Sequence, residues 1–300
     1  MKKNKQTLVR KCVLRVSAIL SAAFLAFCFY SCAGAPGAKS GKPVILVVSF
    51  GTTYNDTRDK TIGAIENAIA AAYPNYEVRR AFTSQTVINR LANRDGLKID
   101  NVDEAMKRLV EDKVKELIVQ PTHVMNGKEY DEMMASVKPY EKRFSKIRYG
   151  LPLLISDKDF EDTASALIEN TKQYSAADTA VVFMGHGTEH EANEVYTHLD
   201  KLLKARGFGR FFVGTVEAEP SLDDIIPELG RVGVKKVVLL PFMIVAGDHA
   251  NNDMAGDDED SWKSILEKRG YSVTPILKGL GEYPEIHRIY VRHVGEAIKS

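Results

Sequence analysis

From Val44 to the C-terminus, short apolar runs rich in β-branched residues alternate with longer stretches whose apolar positions recur every three or four residues. The short runs suit strands buried on both faces, and the longer stretches suit helices that bury one face. Their alternation predicts βα units wound around parallel sheets. The predicted strands are Val44 to Phe50, Tyr76 to Phe82, Glu116 to Thr122 and Ile147 to Leu154, then Ala180 to Gly185, Arg210 to Val216, Lys236 to Ile244 and Ser272 to Leu277. The predicted helices are Thr57 to Ala72, Val102 to Glu111, Tyr130 to Phe144 and Phe160 to Gln173, then Glu191 to Arg206, Leu222 to Val232, Ser261 to Arg269 and Pro284 to Lys299. The fold class is therefore α/β, in two similar halves, each a four-stranded parallel sheet flanked by helices.

The two halves share a pattern. The run from Val114 to Glu129 matches the run from Val234 to His249 at an offset of 120, with Val, Lys, Pro and Gly identical at matching places. A second match, at an offset of 136, pairs Val48-Ser49-Phe50-Gly51-Thr52 with Met184-Gly185-His186-Gly187-Thr188. Both predict a duplicated strand that ends in a glycine turn. The matched positions carry different chemistry, with Glu129 opposite His249 and Phe50 opposite His186. A duplicated scaffold bearing unlike titratable groups suggests two halves facing one site.

Composition narrows the function. The chain has 300 residues, 44% of them hydrophobic and 27% charged, as in ordinary globular proteins. Six basic residues and no acidic ones precede Cys32, so the 41 basic residues less these six leave 35 against 40 acidic ones. No basic face is evident, and no nucleic-acid partner is expected. All three cysteines, Cys12, Cys28 and Cys32, fall in the first 32 residues, which excludes thiolate ligands and disulfides from the folded body. The basic start, the apolar run from Val16 to Tyr30 and Ser31-Cys32-Ala33-Gly34 resemble a bacterial lipoprotein signal, cleaved before a lipidated Cys32. The expected organisation is a signal peptide over 1–31, a tether over 32–42, an N-terminal half over 43–157 and a C-terminal half over 158–300 that carries the metal site. The location expected from this segment is the periplasm of a Gram-negative bacterium, with the exported protein held to the membrane by a lipid on Cys32.

In open α/β sheets ligands bind at the carboxyl ends of the strands. That rule selects His186, Glu217 or Glu219, and His249, which follow three successive strands of the second half. Imidazole and carboxylate together suit Co, Ni, Fe or Zn. Spacing alone leaves open a metal site, an acid–base site and a structural role for one of the histidines. Glu129 gains weight from its repeat mate His249, and His123 stands at the end of a strand. Neither Gly51-Thr52-Thr53 nor Gly185-His186-Gly187 fits a phosphate-binding loop, so no nucleotide is expected. The acidic stretch from Asp253 to Asp260 reads as a solvated, helix-capping loop or as a cation-attracting approach to His249. Trp262 reads as core, and His190, His198, His287 and His293 as surface or packing residues.

At these residues the chain resembles the anaerobic cobalt chelatases of the CbiK type. The resemblance rests on Val47 to Thr52, Arg80 to Ser84, Asn126 to Tyr130, Phe183 to Gly187 and the long motif Ala246 to Ala255. It implies a cleft between the two halves and ATP-independent insertion of a divalent metal into the tetrapyrrole sirohydrochlorin, within cobalamin metabolism. It implies His186, Glu217 and His249 as metal ligands, Glu129 as a further catalytic residue and His186 as proton acceptor. Ser49, Gly51, Thr52, Arg80 and His123 are the expected substrate contacts, with Arg80 and Arg90 meeting substrate carboxylates. Co(II) is the expected metal, with Fe(II) and Ni(II) as alternatives, and a homo-oligomer is left open. The export signal departs from a cytoplasmic biosynthetic task. The alternative is an exported haem- or metal-binding protein, or an iron chelatase, without a cobalamin role.

Overall fold

A computed structural model describes residues 42–300; the signal segment, Cys32 and the tether up to residue 41 lie outside the described residues. Two parallel four-stranded sheets form the framework. The first contains β1 (Val44–Ser49), β2 (Glu77–Phe82), β3 (Glu116–Pro121) and β4 (Lys146–Tyr149), in the order β2-β1-β3-β4. The second contains β5 (Thr179–Gly185), β6 (Phe211–Thr215), β7 (Lys236–Pro241) and β8 (Ser272–Pro275), in the order β6-β5-β7-β8. The central strands β1 and β5 are buried along their whole length, as their continuous apolar runs require.

The duplication holds at the level of register. Val44 pairs with Leu117 in the first sheet, and Ala180 pairs with Val237 in the second. These pairs are related by the two offsets found in the sequence, 136 for the first strand and 120 for the third. The turns after β1 and β5 also correspond, since Gly51 has φ +100° and Gly187 has φ +86°. A Cβ at Gly51 would stand 2.6 Å from Phe82, and one at Gly187 would stand 2.8 Å from Thr215 and from the Ala218 backbone. Only glycine fits both the conformation and the space.

Helices cover both faces: α1 (Asn55–Lys60), α2 (Ile62–Ala72), α3 (Gln85–Asp95), α4 (Val102–Glu111), α5 (Lys128–Val137), α6 (Asp157–Thr171), α7 (Glu194–Ala205), α8 (Leu222–Val232), α9 (Trp262–Lys268) and α10 (Pro284–Lys299). Several differ from expectation for local reasons. The first predicted helix breaks at Thr61, whose hydroxyl donates to Thr57 O at 2.5 Å and whose backbone leaves the helical region. The helix expected to reach Phe144 becomes a 3₁₀ turn from Lys138, next to Pro139, which has no N–H to continue the α ladder. The strand expected to reach Leu154 stops at Tyr149, before Gly150 and Pro152. Helix α3 is absent from the sequence reading.

The last helix ties the halves together. Although α10 follows the second sheet, it packs on α2, β3 and α6. Tyr290 Oη donates to Thr122 O at 2.9 Å, and Tyr73 Oη donates to Val291 O at 2.8 Å. One core cluster contains Ile45 and Ile118 from the first half, Val181 and Leu240 from the second, and Tyr290 and Val294 from α10.

Candidate functional site

The carboxyl ends of both sheets open into one cleft of about 470 Å³, within the range of small-molecule sites. Residues after β1 and β3 form one wall, and residues after β5 and β7 form the other. Because β6, β5 and β7 are adjacent, the loops that follow them bring His186, Glu217 and His249 together. The backbone fixes part of this arrangement, since Glu217 N–H donates to His186 O at 2.9 Å. Tyr196 lies under the His186 turn, where Gly187 N–H donates to its hydroxyl at 3.4 Å. Burial pushes the Tyr196 phenol up to about 12, with the Glu129 charge adding to the effect and the backbone N–H groups opposing it.

Glu217 bridges the two imidazoles. Its Oε2 is 3.6 Å from His186 Nδ1, and its Oε1 is 4.0 Å from His249 Nε2. The rings meet edge to face, with centroids 4.6 Å apart. One ligand atom from each residue lies within 4.8 Å of the others. An ion bound at about 2.1 Å in tetrahedral geometry needs donor atoms roughly 3.4 Å apart, a spacing that small side-chain rotations from this arrangement would reach. Glu219 is not part of this cluster; it stands in a neighbouring acidic hollow beside His190, and its carbonyl accepts from Asn193.

The opposite wall carries the other expected residues. Ser49, Gly51, Thr52, His123 and Glu129 all line the cleft. The buried Ser49 hydroxyl accepts from Thr122 Oγ1 at 2.7 Å, which shapes the floor. Both ring nitrogens of His123 are buried without a hydrogen-bond partner in the protein. Burial brings its pKa down to about 4, against the pull of Glu129, so the ring is neutral at physiological pH. Arg80 corrects an expectation: its guanidinium is turned away from the cleft into a two-pronged pair with Glu66, at 2.7 and 2.5 Å. A guanidinium already satisfied by a carboxylate under α2 is not offered to a ligand. Arg90, on α3, does line the cleft, is exposed and makes no ion pair among the described residues.

The remaining histidines have packing or bridging roles. His198 stacks on Phe160 with centroids 4.2 Å apart, His287 Nε2 is 2.6 Å from Gly281 O, and His293 is buried between α6 and α10. His190 Nε2 lies 3.6 Å from Asp131 on α5, across the two halves. Trp262 is core. In the acidic stretch, Asp257 pairs with Lys263 and Glu259 with Lys268, whereas Asp253 Oδ2 lies 2.8 Å from His249 Nδ1. The sequence reading assigned Asp253 no individual role; its place four residues after His249 was the available signal.

Comparison with known proteins agrees with this arrangement. Residues 43–299 match the family described as cobalt chelatase (CbiK). The sirohydrochlorin cobaltochelatase of Salmonella typhimurium is 41% identical over 257 residues, covering 86% of this chain and 97% of the relative. The sirohydrochlorin cobaltochelatase CbiKC of Nitratidesulfovibrio vulgaris is 36% identical over 267 residues, covering 88% of this chain and 93% of the relative. Among solved structures, SirB from Bacillus subtilis with Fe3+ shares the fold with a TM-score of 0.62 at 15% identity, over 85% of this chain and 95% of that one. With two parallel sheets facing one cleft and a family match over nearly all of the described residues, the chain belongs to the cobalt chelatase (CbiK) family.

Proposed function

We propose that this protein inserts a divalent metal, Co(II), into sirohydrochlorin without a nucleotide. The observation that carries this reading is the His186, Glu217 and His249 cluster on one wall of a cleft whose other wall carries Glu129. The reaction exchanges one metal dication for two pyrrole N–H protons, so the site must present the ion and receive protons on the same macrocycle. The trio holds the incoming ion as substrate. Neutral imidazole accepts protons near neutral pH, and His186 takes this role at the turn after β5. Each proton needs its own acceptor, so the Glu129 carboxylate on the opposite wall takes the second one, and Arg90 meets a carboxylate of the macrocycle at the rim. Co(II) is favoured by the activity named for both curated relatives; Fe(II) and Ni(II) are competitors for the same nitrogen and oxygen donors.

The test is a spectral one. Purified protein, given sirohydrochlorin and Co(II) without oxygen, is expected to speed the absorbance change of metal insertion, and His186→Ala is expected to abolish most of that gain. An undiminished rate in His186→Ala sinks the assignment. Running Fe(II), Ni(II) and a porphyrin in parallel sets the metal and macrocycle preference. The leader-like segment favours a second reading, export as a Cys32-lipidated protein that binds haem or metal without turnover. Mass spectrometry of the mature N-terminus tests the lipid, and tight haem binding with no insertion activity would support that reading over the first.

A further inference from the structure

The two histidines of the trio are held differently. His186 Nδ1 is 2.9 Å from the carbonyl of Gly187, a neutral acceptor on a glycine turn, and its ring stands between Gly185 and Gly187. His249 Nδ1 is 2.8 Å from the Asp253 carboxylate. His249 Nε2 then faces Glu217. Among the described residues, Asp253 makes no other hydrogen bond or ion pair, so within them the carboxylate serves this ring.

The backbone around Asp253 is built to keep it there. His249 is the cap of a π-helical turn, Ala250–Met254, a rare element that concentrates at functional sites. Ala250 and Met254 are fully buried against Trp262 and Leu266, which locks the inner face of the turn. Asn251 Nδ2 donates to Gly247 O at 2.7 Å, closing the loop that leads into it. Gly256 leaves the turn so close to Asn252 that a Cβ there would stand 2.4 Å from Asn252 O. The side chain of Asp253 is thus carried on a rigid turn and projects back onto His249.

We propose that Asp253 is a positioning residue: it fixes the His249 ring through Nδ1, turns Nε2 toward the ion, and so makes His249 the anchoring ligand while His186 is the ligand that exchanges. This rests on the trio holding the substrate metal, and it adds a division of labour within the trio. A carboxylate behind a ligating imidazole orients the ring and strengthens it as a donor. A charge-assisted bond is roughly twice as strong as the bond from His186 to a neutral carbonyl. Such an asymmetry suits transfer. Three equally firm ligands would retain the ion, and three loose ones would not present it. With His249 anchored, His186 is free to leave the ion as the macrocycle nitrogens replace it.

Co(II) titration of the purified protein, read by calorimetry and by the d–d absorption of bound cobalt, tests this. Asp253→Ala is expected to weaken Co(II) binding about 10–100-fold with the melting temperature unchanged, and to raise the KM for Co(II) more than it lowers kcat. Asp253→Glu is expected to restore part of the affinity. Asp253→Ala binding within twofold of wild type, while His249→Ala binds weakly, overturns the role of Asp253 and leaves the metal site standing. His249→Ala binding as wild type overturns the site itself. If Asp253→Ala does not fold, Asp253→Asn decides, because it keeps the shape and an acceptor oxygen but loses the charge; a several-fold loss supports the proposal, and none overturns it.

Discussion

His123 occupies the position in the first half that Met243 occupies in the second, and both line the cleft. The His123 side chain is half-buried, but both of its ring nitrogens are inaccessible and unbonded among the described residues, a cost the fold carries. Burial sets its folded pKa at about 4, below the value of about 6.5 for an unfolded histidine. Protons therefore bind the unfolded chain first. The neutral ring is fully compatible with the fold above pH 6.5, and stability falls as pH drops from there toward 4. Over that window the loss approaches roughly 3 kcal/mol. His123→Phe removes the titration and keeps an aromatic ring, so its melting temperature is expected to depend less on pH between about 6.5 and 4. Parallel profiles for the two proteins would count against this account. At this scale the strand-end rule selected His186, His249 and either Glu217 or Glu219, because strand ends restrict where ligands can gather; the family resemblance pointed to Glu217, and the fold gathers Glu217 with the two histidines. The sequence hid the pairing of Arg80, because the partner Glu66 lies on a helix whose placement no spacing predicts.

Helix α3 shows where element-level reading failed and why. Ser84 accepts from Val87 N at the start, Gly96 takes φ +66° at the end, and Ile88 and Leu91 are buried between them. Both caps were legible in the sequence, but the helix is polar overall and buries only Ile88 and Leu91, too short an apolar run to stand out beside the other helices. The elements read correctly to the residue, α4, α8 and α10, have strong apolar stripes; α4 begins with a reciprocal cap between Asn101 and Glu104, and at the start of α8 the Asp224 carboxylate accepts from the Ser221 N–H and hydroxyl. The π-helical turn after His249 has no such signature. Missing α3 also meant placing Arg90 without an element, although α3 is what carries its side chain to the cleft rim. Arg90→Ala is expected to raise the KM for sirohydrochlorin about five- to tenfold through loss of one charged hydrogen bond, with kcat little changed. Initial rates across substrate concentration measure both, and an unchanged KM would remove Arg90 from the binding role.

For the whole molecule, duplication explains the two sheets but not how they become one body. The repeat was visible because matched strands kept their apolar runs and turn glycines. The joint was not, because α10 contributes by crossing to the first half, and contacts between distant segments leave no pattern in either copy. The joint has a polar centre. His293 Nε2 and Arg292 Nη2 each lie 2.8 Å from Asp159 Oδ1, and His293 Nδ1 lies 3.0 Å from Leu151 O. Asp159 and His293 are almost wholly buried. Burial alone would raise the Asp159 pKa, but the bonds from His293, Ser156 and Arg292 outweigh it and hold the carboxyl well below the usual carboxylate range. Its contribution is therefore present above about pH 4 and is lost as pH falls further. Asp159→Asn takes from Arg292 and His293 the buried carboxylate that both bond, and is expected to cost about 3 kcal/mol. At roughly 2–4 °C per kcal/mol, the melting temperature should fall by about 6–12 °C, with wild type and variant converging in strong acid. Because the core cluster runs through both halves and α10, calorimetry should show one transition in each protein, shifted in the variant. Two separate transitions in Asp159→Asn would mean that the halves fold independently and that α10 is attached to the cleft without holding it.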